Sequence, residues 1–120
     1  MGLFSNRVKA QQIKTAVELD AALVSGRPVF LDFMKHGCQP CQVMDGIINE
    51  LADEFHGDAV VLKANLANVP DLFSRFKVRS TPTFVIVTKQ GDGLHQRYRQ
   101  SGLVKKALLA DQIRRAVDSV

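Results

Sequence analysis

Tryptophan is absent from the 120 residues, tyrosine occurs once and cysteine only twice. Two cysteines cannot build the disulfide framework that staples small secreted domains. Cys38 and Cys41 stand three positions apart, so they serve local chemistry or none. No apolar run approaches the length of a membrane-spanning helix. The segment Met1 to Ala10 holds no apolar stretch long enough for a signal-peptide core and nothing like a cleavage site, so a cytoplasmic address is expected. Gly2 fits the start of an acylation signal, but Asn6 stands where that signal needs a hydroxyl. Internal repeats, linkers and low-complexity stretches are also missing.

Charge of one sign is not concentrated either. Sixteen Lys and Arg against 12 Asp and Glu leave a net charge of +4. Arg97, Arg99, Lys105, Lys106, Arg114 and Arg115 weight the C-terminal third toward positive, yet form no tract. A solvated helix face accounts for them, and neither nucleic acid nor membrane is expected as a partner.

What is present is an ordinary globular composition, 46% apolar and 23% charged, in a chain long enough to bury one core. A monomer is expected, with a flexible N-terminal segment over residues 1–10 and one domain over residues 11–120. Gln11 to Lys14 reads as a short edge strand. Thr15 and Glu18 have the spacing of a capping box opening a helix whose buried side would carry Val17, Ala21 and Val24. Gly26 ends that helix. Val29-Phe30-Leu31-Asp32-Phe33 is an apolar run broken by one carboxylate, as suits a central strand buried on both faces.

A second helix is expected from about Cys38 to Phe55, since Val43, Ile47, Leu51 and Phe55 repeat every fourth residue. Asp45, Asn49, Asp53 and Glu54 fall on its polar side. Ala59 to Ala64 reads as a strand, Val69 to Phe76 as a short helix capped by Asn68, and Thr83 to Thr88 as another strand. Lys89-Gln90-Gly91-Asp92-Gly93 has hairpin-turn chemistry, returning Leu94 to Arg99 antiparallel. Gly102 then releases a last helix striped by Leu109, Ile113, Ala116 and Val117. This order predicts an α/β fold: a central mixed sheet of four to five strands with helices on both faces.

Cys38-Gln39-Pro40-Cys41 follows a predicted buried strand and opens a predicted helix. Unpaired amides and the helix dipole stabilise an anion there, so the Cys38 thiol can ionise near neutral pH and attack a disulfide. Cys41, one helical turn on, is placed to resolve the mixed disulfide. Pro40 suits the first turn, where its missing amide costs little. Asp32 is a carboxylate inside an apolar strand, and burial should raise its pKa. It could then take the Cys41 proton, directly or through a water. Lys63 on the neighbouring strand is its expected partner; the competing reading makes the two a structural ion pair only. Thr81-Pro82-Thr83 precedes a strand, where proline is tolerated at the start. A cis bond before Pro82 would offer the Thr81 backbone to an extended substrate, and an ordinary trans turn is the alternative.

Asp32, the cysteine pair and Pro82 together resemble thioredoxin. Val29 to Cys41 is similar to the thioredoxin active-site segment, and Lys63, Val78-Arg79-Ser80-Thr81-Pro82-Thr83, Gly91 and Gly102 fall at matching intervals. The resemblance implies a thioredoxin fold and a reversible Cys38–Cys41 dithiol that reduces protein disulfides. It implies recharging by a separate reductase drawing on NADPH, no cofactor bound to this chain, a cis Pro82 and Cys38 as the exposed sulfur. Gly37, Gln39, Pro40, Thr81 and Pro82 become the candidate substrate-binding residues, beside Cys38, Cys41, Asp32 and Lys63 as catalytic ones.

The sequence departs from the family at several of these points. Gly37 and Met34 stand where tryptophans are usual, Gln39 replaces a glycine, Gly46 a proline and Ala67 an aspartate. Three other readings compete. A metal site would use Cys38, Cys41 and His36 with His56 or His95. A partner-specific binding module would use the Pro82 surface without turnover. An oxidant or isomerase would share the cysteine pair at a higher potential.

Overall fold

The computed structural model describes residues 7–120. Five strands form one sheet: β1 (Gln11–Ile13), β2 (Val29–Met34), β3 (Val60–Asn65), β4 (Thr83–Gln90) and β5 (Gly93–Ser101), in spatial order β1-β3-β2-β4-β5. Pairs β1–β3 and β2–β3 are parallel, while β2–β4 and β4–β5 are antiparallel. Between them run α1 (Val17–Val24), α2 (Gln39–Glu54), α3 (Pro70–Arg75) and, at the end, α4 (Lys106–Asp118). The mixed sheet of five strands flanked by helices is the thioredoxin fold.

Alternation along the strands divides the core. Leu31 and Phe33 of β2 join Leu62 and Ala64 of β3 and Val85 and Val87 of β4 under α1 and α3. Phe30, Val61, Phe84 and Ile86 face the other way, under α2 and α4. Central strands buried on both sides need apolar residues at every position, as β2 has everywhere except Asp32. Aromatic contacts fill each half: Phe33 meets Phe73 edge-on at 5.0 Å, and Phe30 stacks with Phe84 at 5.8 Å. Gln90 pairs with Gly93 across a tight turn, where Gly91 takes φ +58°, a conformation that costs glycine nothing.

The helix faces differ from the sequence expectation. In α1 the buried residues are Leu19 and Leu23, while Val17 is 69% and Val24 76% exposed and Ala21 is exposed too. Two leucines four apart bury more apolar area than two valines and an alanine, and they decide the face. Only half of the capping box forms. The Glu18 carboxylate accepts the Lys14 amide at 2.6 Å and the Thr15 amide at 3.1 Å, but the N-cap is Ala16 and the Thr15 hydroxyl caps nothing. Asn68 likewise does not cap α3, whose N-cap is Val69. In α2, Cys41, Met44, Ile48, Leu51 and Ala52 are buried and Val43 is exposed, because strict fourth-residue spacing drifts off one face of a 3.6-residue helix.

Residues 1–6, including Gly2 and Asn6, lie outside the described residues. Beyond them, the Val8 amide donates to Asp53 at 2.9 Å and the Ala10 amide to Asn49 at 3.1 Å, laying this segment along α2. No helix among the described residues is long and apolar enough to cross a membrane.

Candidate active site

β2 delivers the chain to the sheet's C-terminal edge, and the loop after it turns back into α2. Gly37 makes that turn at φ +75°, where a side chain would be strained although the space is open. Cys38 is the N-cap of α2 and Pro40 sits in its first turn. Cys38 and Cys41 form a disulfide, their Cα atoms 5.3 Å apart. The Cys41 amide donates to Cys38 Sγ at 3.2 Å, so the sulfur takes the place that a hydroxyl or carboxylate takes at other helix starts. A negative Cys38 sulfur is favoured in that position by the amide and the dipole.

Thr81 closes over the cysteine pair. Its hydroxyl donates to Cys38 Sγ at 3.5 Å and its carbonyl oxygen lies 3.6 Å from the same sulfur. The Thr81–Pro82 bond is cis. The Pro82 carbonyl accepts the Gly102 amide at 2.9 Å, and the Thr83 hydroxyl donates to the Ser80 carbonyl at 2.7 Å, holding the loop at both ends. The resemblance implied an exposed Cys38, but in the disulfide form each cysteine is only 6% exposed. Thr81 covers the one and the body of α2 the other. Gly37, Gln39 and Pro40 form the exposed rim, while Pro82 is buried beneath Thr81.

Asp32 lies behind the pair, 3% exposed, and its Oδ1 is the one buried side-chain polar atom among the described residues without a hydrogen-bond partner. Burial pushes its carboxyl up to about 7; the Lys63 ammonium opposes this and the Asp45 carboxylate adds to it. The expected Asp32–Lys63 ion pair does not form. Although the two residues are register partners on β2 and β3, Lys63 Nζ turns instead to Asp45 Oδ1 on α2. The Lys63 side chain is itself mostly buried, but Asp45 is half exposed, so the pair sits at the edge of the apolar layer rather than inside it.

Asp45 is the functional candidate that sequence reasoning missed. It stands four residues after Cys41, on the same side of the helix, and that spacing was the available signal. Both residues line a cleft of about 260 Å³ between the end of β2 and the start of α2, bounded also by Gly37 and Asn65. Among the described residues no three or more His, Cys, Asp or Glu side chains gather as a ligand set.

A disulfide spanning the first turn of a helix, with its first sulfur against a polar backbone loop, is built for exchange with another disulfide. The class is the thiol–disulfide oxidoreductases. The sequence model of the family described as Thioredoxin matches residues 10–115, and the chain belongs to that family. The thioredoxin of Rickettsia felis is 35% identical over 95 residues, covering 79% of this chain and 87% of that one. Among solved structures, a thioredoxin variant from Halobacterium salinarum superposes with a TM-score of 0.79 at 26% identity, covering 94% of this chain and 95% of that one. A Schistosoma mansoni thioredoxin superposes at 0.76 with 20% identity, covering 90% and 98%, and speaks to the fold alone.

Proposed function

We propose that the protein reduces disulfides in other proteins in a reducing cytoplasm, with Cys38 as attacking thiol and Cys41 as resolving thiol. The Cys38 thiolate attacks one sulfur of the substrate disulfide, that bond breaks, and the other substrate sulfur leaves as thiolate. Asp32 takes the proton from Cys41. The Cys41 thiolate then attacks Cys38 Sγ, the Cys38–substrate bond breaks, and the second substrate sulfur leaves as thiolate. Two electrons have passed from the dithiol to the substrate, and the pair is left as the Cys38–Cys41 disulfide. A separate reductase of the thioredoxin-reductase kind returns two electrons and two protons, so no bound cofactor is required.

The observation that carries this order of attack is the Cys41 amide donating to Cys38 Sγ at the start of α2. A helix N-terminus lowers the pKa of the sulfur it faces, and the sulfur one turn further in lacks that help. Cys41 therefore needs a base, and Asp32 is the buried, unpaired carboxyl on the same layer of the sheet. The exposed rim of Gly37, Gln39 and Pro40 and the Thr81–Pro82 backbone receive the substrate as an extended strand. Lys63 acts on Asp32 at a distance, through charge.

Thiol trapping and mass spectrometry in graded redox buffers test the direction of exchange. A reversible couple near about −270 mV is expected for a reductase, whereas about −120 to −180 mV would make the protein an oxidant or isomerase. Biological activity surviving replacement of both cysteines would instead favour the binding module.

A further inference from the structure

Lys63 has two carboxylates within its reach of influence and ion-pairs with only one. Asp32 is its register partner across β2 and β3, buried and unpaired, while Asp45 on α2 holds its ammonium. Asp45 is itself fixed, since its Oδ2 accepts from Asn49 Nδ2 at 3.5 Å and Asn49 Oδ1 accepts the Ala10 amide at 3.1 Å. We infer that Asp45 is a positioning residue that sets the charge state of Asp32, by ion-pairing the Lys63 ammonium at α2 and so holding it away from the buried carboxyl. This deepens the reading above, because the charge of Asp32 matters to turnover only if Asp32 takes the Cys41 proton.

The surroundings leave few other groups to do this. On the face of the sheet that Asp32 shares, β3 contributes Lys63, and α2 contributes Asp45 and the Cys41 sulfur. β4 contributes Phe84 and Ile86, and the α4 region contributes Val104 and Leu109, all apolar. Tyr98 of β5 packs at the margin of that layer with its hydroxyl donated to Gln100. Among the charged groups of the described residues, Lys63 and Asp45 act on Asp32, with opposite sign. Removing Asp45 therefore has two effects in one direction: a nearby negative charge disappears, and the lysine becomes free to turn toward Asp32. Both favour the ionised carboxylate. With Asp45 in place, Asp32 carries its proton below about pH 7 and is ionised above it, so near neutrality the carboxylate is present to accept the Cys41 proton.

Carbon-13 NMR of the Asp32 carboxyl in the disulfide form reads this directly. In Asp45→Asn the midpoint should fall by about one pH unit or more, making Asp32 an acid about tenfold stronger, and Asp45→Glu should return it toward wild type. Asp45 is half exposed, and Asp45→Ala provides a second probe of the same loss. In the Lys63→Met background the fall should be clearly smaller. An unchanged midpoint in both Asp45→Asn and Asp45→Ala would overturn the proposal, and so would an equal fall without Lys63, since Asp45 would then act by its own charge alone. The pH profile of mixed-disulfide resolution separates this from the catalytic reading. A midpoint that falls while the rate profile stays put upholds the role of Asp45 and overturns that of Asp32 as base.

Discussion

The two faces of the sheet are covered by similar layers, a pair of helices over the same three central strands, yet they are furnished differently. Under α1 and α3 the inward layer is apolar from Ile13 through Leu31 and Phe33 to Val87, and the buried hydroxyl of Thr83 in the same alternation is satisfied by the Ser80 carbonyl. Under α2 and α4 the apolar layer runs from Phe30 to Ile113 but is interrupted at its site end by Asp32, with Lys63 and Asp45 at the margin. Burying a carboxyl without a partner is costly. The first face is what packing alone would select. The second keeps an unpaired acid beside the disulfide, where the proposed proton transfer from Cys41 would use it.

Substitutions can separate the two faces. The largest expected effect lies at the chemistry: Cys38→Ser should abolish exchange altogether, and Cys41→Ser should trap mixed disulfides with protein partners, seen as adducts on non-reducing gels. Exchange at the normal rate by Cys38→Ser would reverse the assignment of roles. On the opposite face Leu19, fully buried in α1, should behave as structure only. Leu19→Ala should lower stability by about 2–5 kcal/mol in urea titration and leave the reduction potential of the folded protein unchanged. A shifted potential would mean that the two faces are coupled through the sheet.

Asp32→Asn probes the interruption itself. The folded-state carboxyl titrates near about 7, above the ordinary 3.8, so between those values the folded protein binds more protons than the unfolded chain. Stability then falls as pH rises through that window. Wild type should lose on the order of 4 kcal/mol between about pH 4 and pH 8 from this group, and the Asn variant should not. Chemical denaturation at both pH values measures the difference. Resolution of mixed disulfides should slow by about a hundredfold at pH 8 in the variant and lose its rise through pH 7. A variant that gained stability while resolving at the wild-type rate would leave the acid without a catalytic purpose.

Much of this layout was legible before any coordinates. β2, β3 and β4 announce themselves as mostly apolar runs, as strands covered on both sides must be, and Asp32 and Lys63 are conspicuous as the charged exceptions in their buried stretches. The cysteine pair is legible from its placement, at the point where a buried run meets a helix start. The helix faces were not. Val17, Ala21 and Val24 have helical spacing, but so do Leu19 and Leu23, and only the packing of α1 against the sheet shows which stripe is heavier. The partner of Lys63 was missed for a related reason. The register of β2 on β3 puts Lys63 beside Asp32, as adjacent strands suggest, whereas Asp45 reaches it only once α2 has been laid across that face.

The smallest expected effect uses Glu18, a carboxylate of the opposite kind on the opposite face. It is partly exposed and accepts two backbone amides at the start of α1, which hold its carboxyl below the usual glutamate range. A depressed folded-state value reverses the sign found for Asp32. The stabilisation is present above the ordinary value of 4.5 and fades as pH falls through the lower, folded one. Glu18→Gln should lower Tm slightly at pH 7 and by less as acid protonates the wild-type carboxyl, as followed by thermal melts across pH 3 to 7. Because Glu18 sits on α1, across the sheet from the cysteines, and its partners are the Lys14 and Thr15 amides and the Gln11 side chain, the rate of disulfide exchange should not change. Opposite slopes from Glu18 and Asp32 would show that a carboxylate which caps a helix and one kept for proton transfer can be told apart by stability alone. A Glu18→Gln effect that grew in acid would break the distinction.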